Sequence, residues 1–430
     1  MLQKAIQINP NYVNTHFNLG IVFKELEEYQ KAIYCYEKAI QLNPSCTDAY
    51  LNLGVVFEDL KEHQKAISYY KKAIEIQPNY VKAYYNLGII FNELEEHKKA
   101  ISCYEKAIEI QPNFAEAHTN LGLLLLLLSN FQKGLDEYEW RKKVPTRRDY
   151  KLNDIESLEW QGEDLTNKTI LILSEQAVGD TIQFARYLYM LQDKYLATII
   201  FRTSKKLIHL FSKSKFKVIS NDETLPKHDF HKYLLSLPQI FYQKTKNFSR
   251  QINYIPKDTK IVSKWRNKLN SIKGLKVGIN WQGSATYAGD RLRSIPLNYF
   301  ERLFTIEKIN FINLQKGFGT EQIKNFKYKD KLYDFSSEVD NGKNAFEDTI
   351  GILQNIDLVV TSDTALPHLS ATLGVKTWLL LPYSPDWRWF LELKNSPWYE
   401  HVKLYRQEEF NKWDSIFDIV KKDLVNLINE

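Results

Sequence analysis

The chain has 430 residues, a formal net charge of +6, 44% apolar and 26% charged residues. That length accommodates about three ordinary domains, and the composition is that of a soluble globular protein. The lysines are dispersed rather than gathered into the dense basic block of a nucleic-acid binder. The longest fully apolar run, Leu123 to Leu128, falls far short of the roughly 18 residues a membrane helix needs, so no transmembrane segment is expected. The opening MLQKAIQINP has no apolar h-region, so no signal peptide is expected either. The cysteines Cys35, Cys46 and Cys103 form no CxxC or Cys/His spacing. Neither a zinc site nor a disulfide framework is expected, and a reducing cytoplasm is the natural compartment.

The first third repeats every 34 residues. Asn18, Asn52, Asn86 and Asn120 each precede Leu-Gly, Ala32, Ala66 and Ala100 keep the same step, and Pro10, Pro44, Pro78 and Pro112 close the units. Period and residue order resemble the tetratricopeptide repeat (TPR). Units of two antiparallel helices are expected over 13–46, 47–80 and 81–114. A degenerate fourth covers 115–148, where Gly134 replaces the small Ala. Gly20, Gly54, Gly88 and Gly122 are read as helix-crossing points, and Tyr36, Tyr70, Tyr104 and Tyr138 as filling between successive units. Such units stack because none buries its apolar face alone. Residues 1–12 read as the second helix of a broken unit, either a fragment of a longer array or a minimal cap. The four asparagines lie on the helices that line the concave side. An amide offers a donor and an acceptor, so the row is a candidate ladder for an extended peptide. Asn before Leu-Gly is also an ordinary feature of these repeats.

The segment around Trp140 and Trp160 reads as a final helix and then a connector, with both tryptophans expected to pack the array against the next domain. Strand-like and helical runs then alternate. Strands are expected at 168–173, 197–201, 216–219 and 231–235, with helices at 181–191 and 205–211. A second series runs from helix 262–269 through strands 275–281, 309–314, 357–362 and 377–381, with helices 345–353 and 366–373. Alternation of this kind implies parallel sheets. Ligands of such sheets bind beyond the strand carboxyl ends, which draws attention to three loops.

In the first, Ser174 to Asp180, Gly179 is read as the tight turn that puts Asp180 at a helix N-terminus. Asp180 also reads as a plain N-cap. In the second, Thr361 to His368, Asp363 or Thr364 caps a helix, and the free amides of Thr364, Ala365 and Leu366 form a phosphate-type anion site. The segment equally fits an ordinary capped helix with Pro367 in its first turn, and an isolated His368 is more often structural. In the third, Trp281 to Ser294, Arg293 is a candidate diphosphate clamp, and Asp290 with Arg291 reads as a solvated pair.

Taken together, EQAVGDTIQFARYL, LLSLP, WQG…DRLRSIPL, FINLQKG, DLVVTSDTALPHLSATLG and LLPYSPDWRWFLELKNSPWY resemble the TPR-linked glycosyltransferases of the heptosyltransferase-like family 9, over residues ~135–430. The resemblance implies an all-α TPR superhelix (1–148) followed by a GT-B fold of two Rossmann-like domains. The acceptor side would be 149–257 and the nucleotide-sugar side 258–430. It implies an inverting, metal-independent glycosyltransferase with a nucleotide-sugar co-substrate, no metal and no other cofactor. Asp180 would be the general base. Arg293, Lys316, Gln315, Asp363, Thr364, Ala365, His368 and Asp348 would form the donor side. Asp386 to Trp389 is typical of the TPR-linked members without an assigned role. Ala177 stands where Gly is usual. The array favours a protein or peptide acceptor. The catalytic half favours a glycan or lipid-linked acceptor of cell-surface glycan synthesis. A non-catalytic scaffold with a degenerate transferase domain is the third reading.

Overall fold

The computed structural model describes residues 12–145, 155–245, 248, 253–285 and 289–429. The chain divides into two compact units, 1–148 and 149–430.

The first unit is all-helical. Its helices pair as α1 (Val13–Glu25) with α2 (Tyr29–Leu42), α3 (Thr47–Asp59) with α4 (His63–Ile76), α5 (Val81–Glu93) with α6 (His97–Ile110), and α7 (Ala115–Leu127) with α8 (Phe131–Tyr138). The broken unit 1–12 lies outside the described residues except for Tyr12. A Cβ on Gly54 would stand 2.3 Å from the ring of Tyr70, and Gly20 with Tyr36 and Gly88 with Tyr104 repeat this crossing. The tyrosines therefore fill the crossing inside their own unit, not the gap between units. In the last unit a Cβ on Gly122 would meet the Tyr138 backbone nitrogen at 2.6 Å, so α7 and α8 approach more closely. Trp140 stacks on His118 at 4.0 Å within the array. Trp160 is fully buried in the second unit, its indole N–H donating to the Glu163 carbonyl at 3.0 Å. Each of these tryptophans, expected as linker contacts, thus packs inside its own unit.

The first helix of each pair ends on a left-handed residue that is not glycine: Glu27, Lys61, Glu95 and Ser129, with φ of 58°, 61°, 58° and 64°. The bonds are those of a Schellman turn. After α3, Glu62 N–H reaches Phe57 O at 2.8 Å and Lys61 N–H reaches Glu58 O at 2.9 Å.

The second unit holds two all-parallel sheets. The first, in order β1-β5-β2-β3-β4, comprises β1 (Leu158–Glu159), β2 (Thr169–Leu173), β3 (Thr198–Thr203), β4 (Lys217–Ser220) and β5 (Phe230–Tyr233). The second, in order β11-β10-β9-β6-β7-β8, comprises β6 (Leu275–Asn280), β7 (Ile309–Asn313), β8 (Leu332–Tyr333), β9 (Leu358–Ser362), β10 (Thr377–Leu381) and β11 (Val402–Arg406). The central strands β2, β3, β6, β9 and β10 are apolar runs because both faces are covered. Covering helices are α9 (Val178–Phe184), α10 (Arg186–Lys194), α11 (Leu237–Thr245), α12 (Thr259–Leu269), the single turn α13 (Asp290–Arg293), α14 (Glu347–Leu353), α15 (Ala365–Thr372) and α16 (Asp414–Asn429). The helix expected at 181–191 is divided between α9 and α10, and the one at 205–211 is a 3₁₀ turn. The amphipathic α16 escaped the sequence reading. It buries Phe417 against Phe300 at a centroid distance of 4.8 Å. Strand order reverses at β2 and at β6, so the two switch points open at the carboxyl ends of those strands.

Holding Lys61 left-handed costs about 1–2 kcal/mol, and glycine would return about 0.5–1 kcal/mol of that as unfolded-state entropy. Lys61→Gly should therefore stabilise the chain by about 0.5–1 kcal/mol in urea unfolding. A lower midpoint than wild type would contradict this account of the turn.

Candidate active site

At the carboxyl end of β2 the chain turns through Gln176, whose φ is 60°. Gln176, not Gly179, is the left-handed residue. Gly179 lies inside α9, where a Cβ would stand 3.2 Å from His368 Cδ2 and 3.4 Å from Ala365 Cα. Its role is to let α9 rest on the first turn of α15. Asp180 then falls in the first turn of α9, and its Oδ2 accepts the Ala177 N–H at 2.9 Å.

The other oxygen, Oδ1, accepts from Arg388 Nη2, from the loop that follows β10. Arg388 Nη1 donates to Asp386 Oδ1 at 2.8 Å. Asp363, at the end of β9, is buried beside this group. Burial and the Asp386 charge push its carboxyl up to about 6, against the pull of Arg293, Trp389 and Arg388. Asp180 and Asp386 thus share Arg388, with Asp363 and Arg293 beside them, where the carboxyl ends of both sheets meet. Sequence reasoning passes over Arg388 as a site residue, although it stands inside the Asp386–Trp389 motif that has no assigned role. It passes over Asn280 too. The Asn280 Oδ1 accepts from Thr361 Oγ1 (3.1 Å) and Thr364 Oγ1 (3.2 Å), and its Nδ2 donates to Gln315 at 2.6 Å. A polar residue ending an apolar strand is the available signal.

Thr364 caps α15, accepting the Leu366 N–H at 3.2 Å. The cap therefore uses one of the three amides expected to face an anion. Ala365 opens α15 at the contact with Gly179. Arg293 Nε bonds Asp290 Oδ1 at 3.1 Å, so Asp290 pairs with Arg293 rather than Arg291 and is buried, not solvated. A Cβ on Gly283 would lie 2.1 Å from Asp290 Oδ1, which explains the glycine after Trp281-Gln282. Residues 286–288 of this loop lie outside the described residues.

Four residues expected on the donor side bond to other parts of the protein. Gln315 is a buried cross-link. Its Oε1 accepts from Asn280 Nδ2, from Trp281 N (3.1 Å) and from Gln282 N (3.0 Å), and its Nε2 donates to the carbonyls of Gln282 (3.0 Å) and Phe318 (2.7 Å). No capacity is left for a ligand. Lys316 is tied to the carbonyls of Val339 and Asp340 and to Asn341 Oδ1. Asp348 joins α12 to α14 by accepting from Lys264 Nζ (2.7 Å), Trp265 Nε1 (2.8 Å) and Asp340 N (3.1 Å), which hold its carboxyl below the usual range despite burial. His368 is buried against Trp389 and shares a hydrogen bond with Tyr399 OH at 3.1 Å. Burial, then Arg388, Arg186 and Arg293, push its pKa well down, so the neutral ring brings no charge to a phosphate.

In the array, Asn120 Nδ2 donates to Tyr85 OH of the preceding unit at 3.1 Å, and Asn86 neighbours Tyr70 of its preceding unit as Asn120 neighbours Tyr104. Asn18 is exposed and Asn52 half-buried. The four amides are therefore not an equivalent ladder, because at least two serve the stacking of units. A cavity also lies at the opposite, amino end of the second sheet, lined by Lys257, Asp357, Lys376 and His401. Among the described residues no cluster of three His, Cys, Asp or Glu could hold a metal ion, and no helix is long and apolar enough to cross a membrane.

Family models for the tetratricopeptide repeat match residues 13–46, 45–113 and 103–136. The first unit is a tetratricopeptide-repeat array. Protein FlbA of Caulobacter vibrioides (strain ATCC 19089 / CIP 103742 / CB 15) is 23% identical over 290 residues, which is 63% of this chain and 48% of FlbA. The chain thus spans about half the length of that curated relative, and the match is longer than the TPR array. The crystal structure of MamA is 30% identical over 33% of this chain and 83% of that one, with a TM-score of 0.31. The first TPR of Spaghetti (RPAP3), bound to the HSP90 peptide SRMEEVD, is 26% identical over 27% of this chain and 93% of that one, with a TM-score of 0.26.

Two of the buried polar groups are open to direct measurement. Gln315→Leu strands the amides of Trp281 and Gln282 and the Asn280 side chain, at about 1–3 kcal/mol for each unmet group. It should lower unfolding stability by about 3 kcal/mol or more, and a loss under 1 kcal/mol would deny the cross-link. For Asp363 the sign runs opposite to the usual carboxylate. With a folded pKa of about 6 against 3.8, the native state binds more protons, so this group's contribution falls as pH rises from 4 to 6 and then levels. Asp363→Asn should remove that fall, as read by urea unfolding across this pH range. An unchanged slope would refute it.

Proposed function

We propose that the second unit is a glycosyltransferase of GT-B type. It would move a sugar from a nucleotide-sugar to an acceptor hydroxyl with inversion and without a metal, while the TPR array recruits the acceptor or a partner. The observation that carries this reading is the meeting of Asp180, from the loop after β2, with Arg388, Asp363 and the first turn of α15 at the carboxyl ends of two parallel sheets. Resemblance of the same loops to family 9 supports it.

In this scheme Asp180 takes the proton of the acceptor hydroxyl. The oxygen attacks the anomeric carbon from the face opposite the nucleotide. The bond from that carbon to the diphosphate oxygen breaks, and the electron pair leaves with the nucleoside diphosphate. Arg293 and the α15 N-terminus at Thr364 and Ala365 balance the growing charge. Lys316, Gln315, Asp348 and His368 act one step back, as the braces of the donor-side loops.

The acceptor is a polypeptide in the variant that gives the array its full weight. Peptide binding is stated for the Spaghetti TPR in its complex, and exposed Asn18 with half-buried Asn52 keeps part of a ladder here. A heptosyltransferase-like enzyme acting on cell-surface glycan is the alternative acceptor class. A degenerate transferase domain serving as a scaffold is the non-enzymatic one.

A thermal-shift screen of nucleoside diphosphates and nucleotide-sugars tests the proposal. One base class should raise the melting temperature, since a ligand at 100 times its Kd adds about 2.7 kcal/mol. With the donor so identified, Asp180→Asn should lower transfer by about 10²–10⁴-fold and leave calorimetric binding of the diphosphate intact. A screen with no stabilising nucleotide would favour the scaffold, and full activity in the variant would remove Asp180 as base.

A further inference from the structure

We propose that Arg388 is the positioning residue for Asp180, reaching from the second sheet's side of the unit to fix the carboxylate that the first sheet's side supplies. This rests on the reading of Asp180 as the base. Arg388 is itself firmly held. Asp386 Oδ1 caps the 3₁₀ turn Trp387–Trp389 through the Arg388 N–H at 3.0 Å and also accepts Arg388 Nη1 at 2.8 Å. The guanidinium lies over the rings of Trp387 at 4.7 Å and Phe184 at 5.3 Å, and the side chain is 7% exposed. Its direction is therefore set before it meets Asp180. At the carboxylate, Arg388 takes Oδ1 and the Ala177 N–H takes Oδ2. Holding both oxygens fixes the carboxyl plane, yet each oxygen keeps a lone pair. The side chain remains 14% exposed. A guanidinium can serve Asp180 and Asp386 at once because its donors form a rigid planar fork, which an ammonium lacks.

The electrostatics has the same sense. Burial pushes the Asp180 carboxyl up; Arg388 and the Ala177 amide pull it down; Asp386 and Glu175 push it up. On the second sheet's side, Arg388 also acts on Asp363 and on neutral His368, where Arg293 contributes as well, and Arg186 acts on His368. Arg388 is thus the opposing cation that keeps a buried carboxylate ready to accept a proton. Asp386 acts on Asp180 only through its hold on Arg388 and its own charge. Because the two partners come from different sheets, the base is complete only when both sides of the site are together.

The full chain labelled at aspartate carboxyl carbons allows a test by NMR titration, with the Asp180 signal assigned by its loss in Asp180→Asn. Arg388→Gln should move the Asp180 midpoint up, since burial is then unopposed. Arg388→Lys should bring it back toward wild type. Asp386→Asn should move it down, because one repelling charge is gone and Arg388 is left to Asp180. An unmoved or lowered midpoint in Arg388→Gln, or a raised one in Asp386→Asn, overturns the proposal. If Arg388→Gln fails to fold, as read by thermal unfolding, the Asp386→Asn shift decides alone. Failure of every nucleoside diphosphate to bind would remove the transferase reading without moving these midpoints, so the two failures are separable.

Discussion

The α/β unit depends on the close approach of α9 to the first turn of α15. The two helices belong to different sheets, and the missing Cβ of Gly179 eases their approach, since it would stand 3.2 Å from His368 Cδ2. Polar links between the two sheets gather around that contact. Arg388 reaches Asp180 there, and Arg186 Nη1 donates to the Trp398 carbonyl at 2.7 Å. The Tyr254 hydroxyl donates to the Ile182 carbonyl and accepts from Thr372 Oγ1 at 3.2 Å. Arg186 is wholly buried. Such a cation is tolerated because carbonyls and the Tyr399 ring, 4.4 Å away, replace its water.

Charge imbalance is the second organising fact. Asp180 and Asp386 both bond Arg388, while Arg293 bonds Asp290 and also acts on Asp363. Like charges in a desolvated site cannot all be compensated, and burial with the Asp386 charge raises the Asp363 carboxyl to about 6. Asp386 is anchored by its own turn, and Asp180 accepts from the other terminal nitrogen of Arg388. The carboxylates are therefore not equivalent, although they are the same residue type within one cluster. Buried carboxyls raised in this way are common at functional sites.

The TPR array follows a different logic, because each unit meets only its neighbours. One 34-residue step carries a glycine–tyrosine crossing, a left-handed helix end and a lysine that pairs with glutamate three residues before it while lying over a phenylalanine ring. Lys65 with Glu62 and Phe57, and Lys99 with Glu96 and Phe91, repeat that arrangement. The exposed ion pairs contribute little each, so the buried crossings hold the array together.

Local periodicity makes much of this architecture readable in advance. The repeat boundaries, the apolar strands β2, β6, β9 and β10, and the loops after them all come from neighbours a few residues apart, since helix and strand formation are short-range events. Gly179 is misread because a glycine required by a turn and one required by a close approach look alike in a sequence. Gln315, Lys316 and Asp348 are misread because their partners stand 35, 23 and 84 residues away. Arg388 stands in a recognised motif, yet its partner Asp180 is 208 residues distant. The sequence by itself determined which segments coil, which extend and where the loops fall. Only the tertiary structure decided which polar side chains are spent on bracing and which face the site, because that depends on segments whose approach is set by packing across the whole unit.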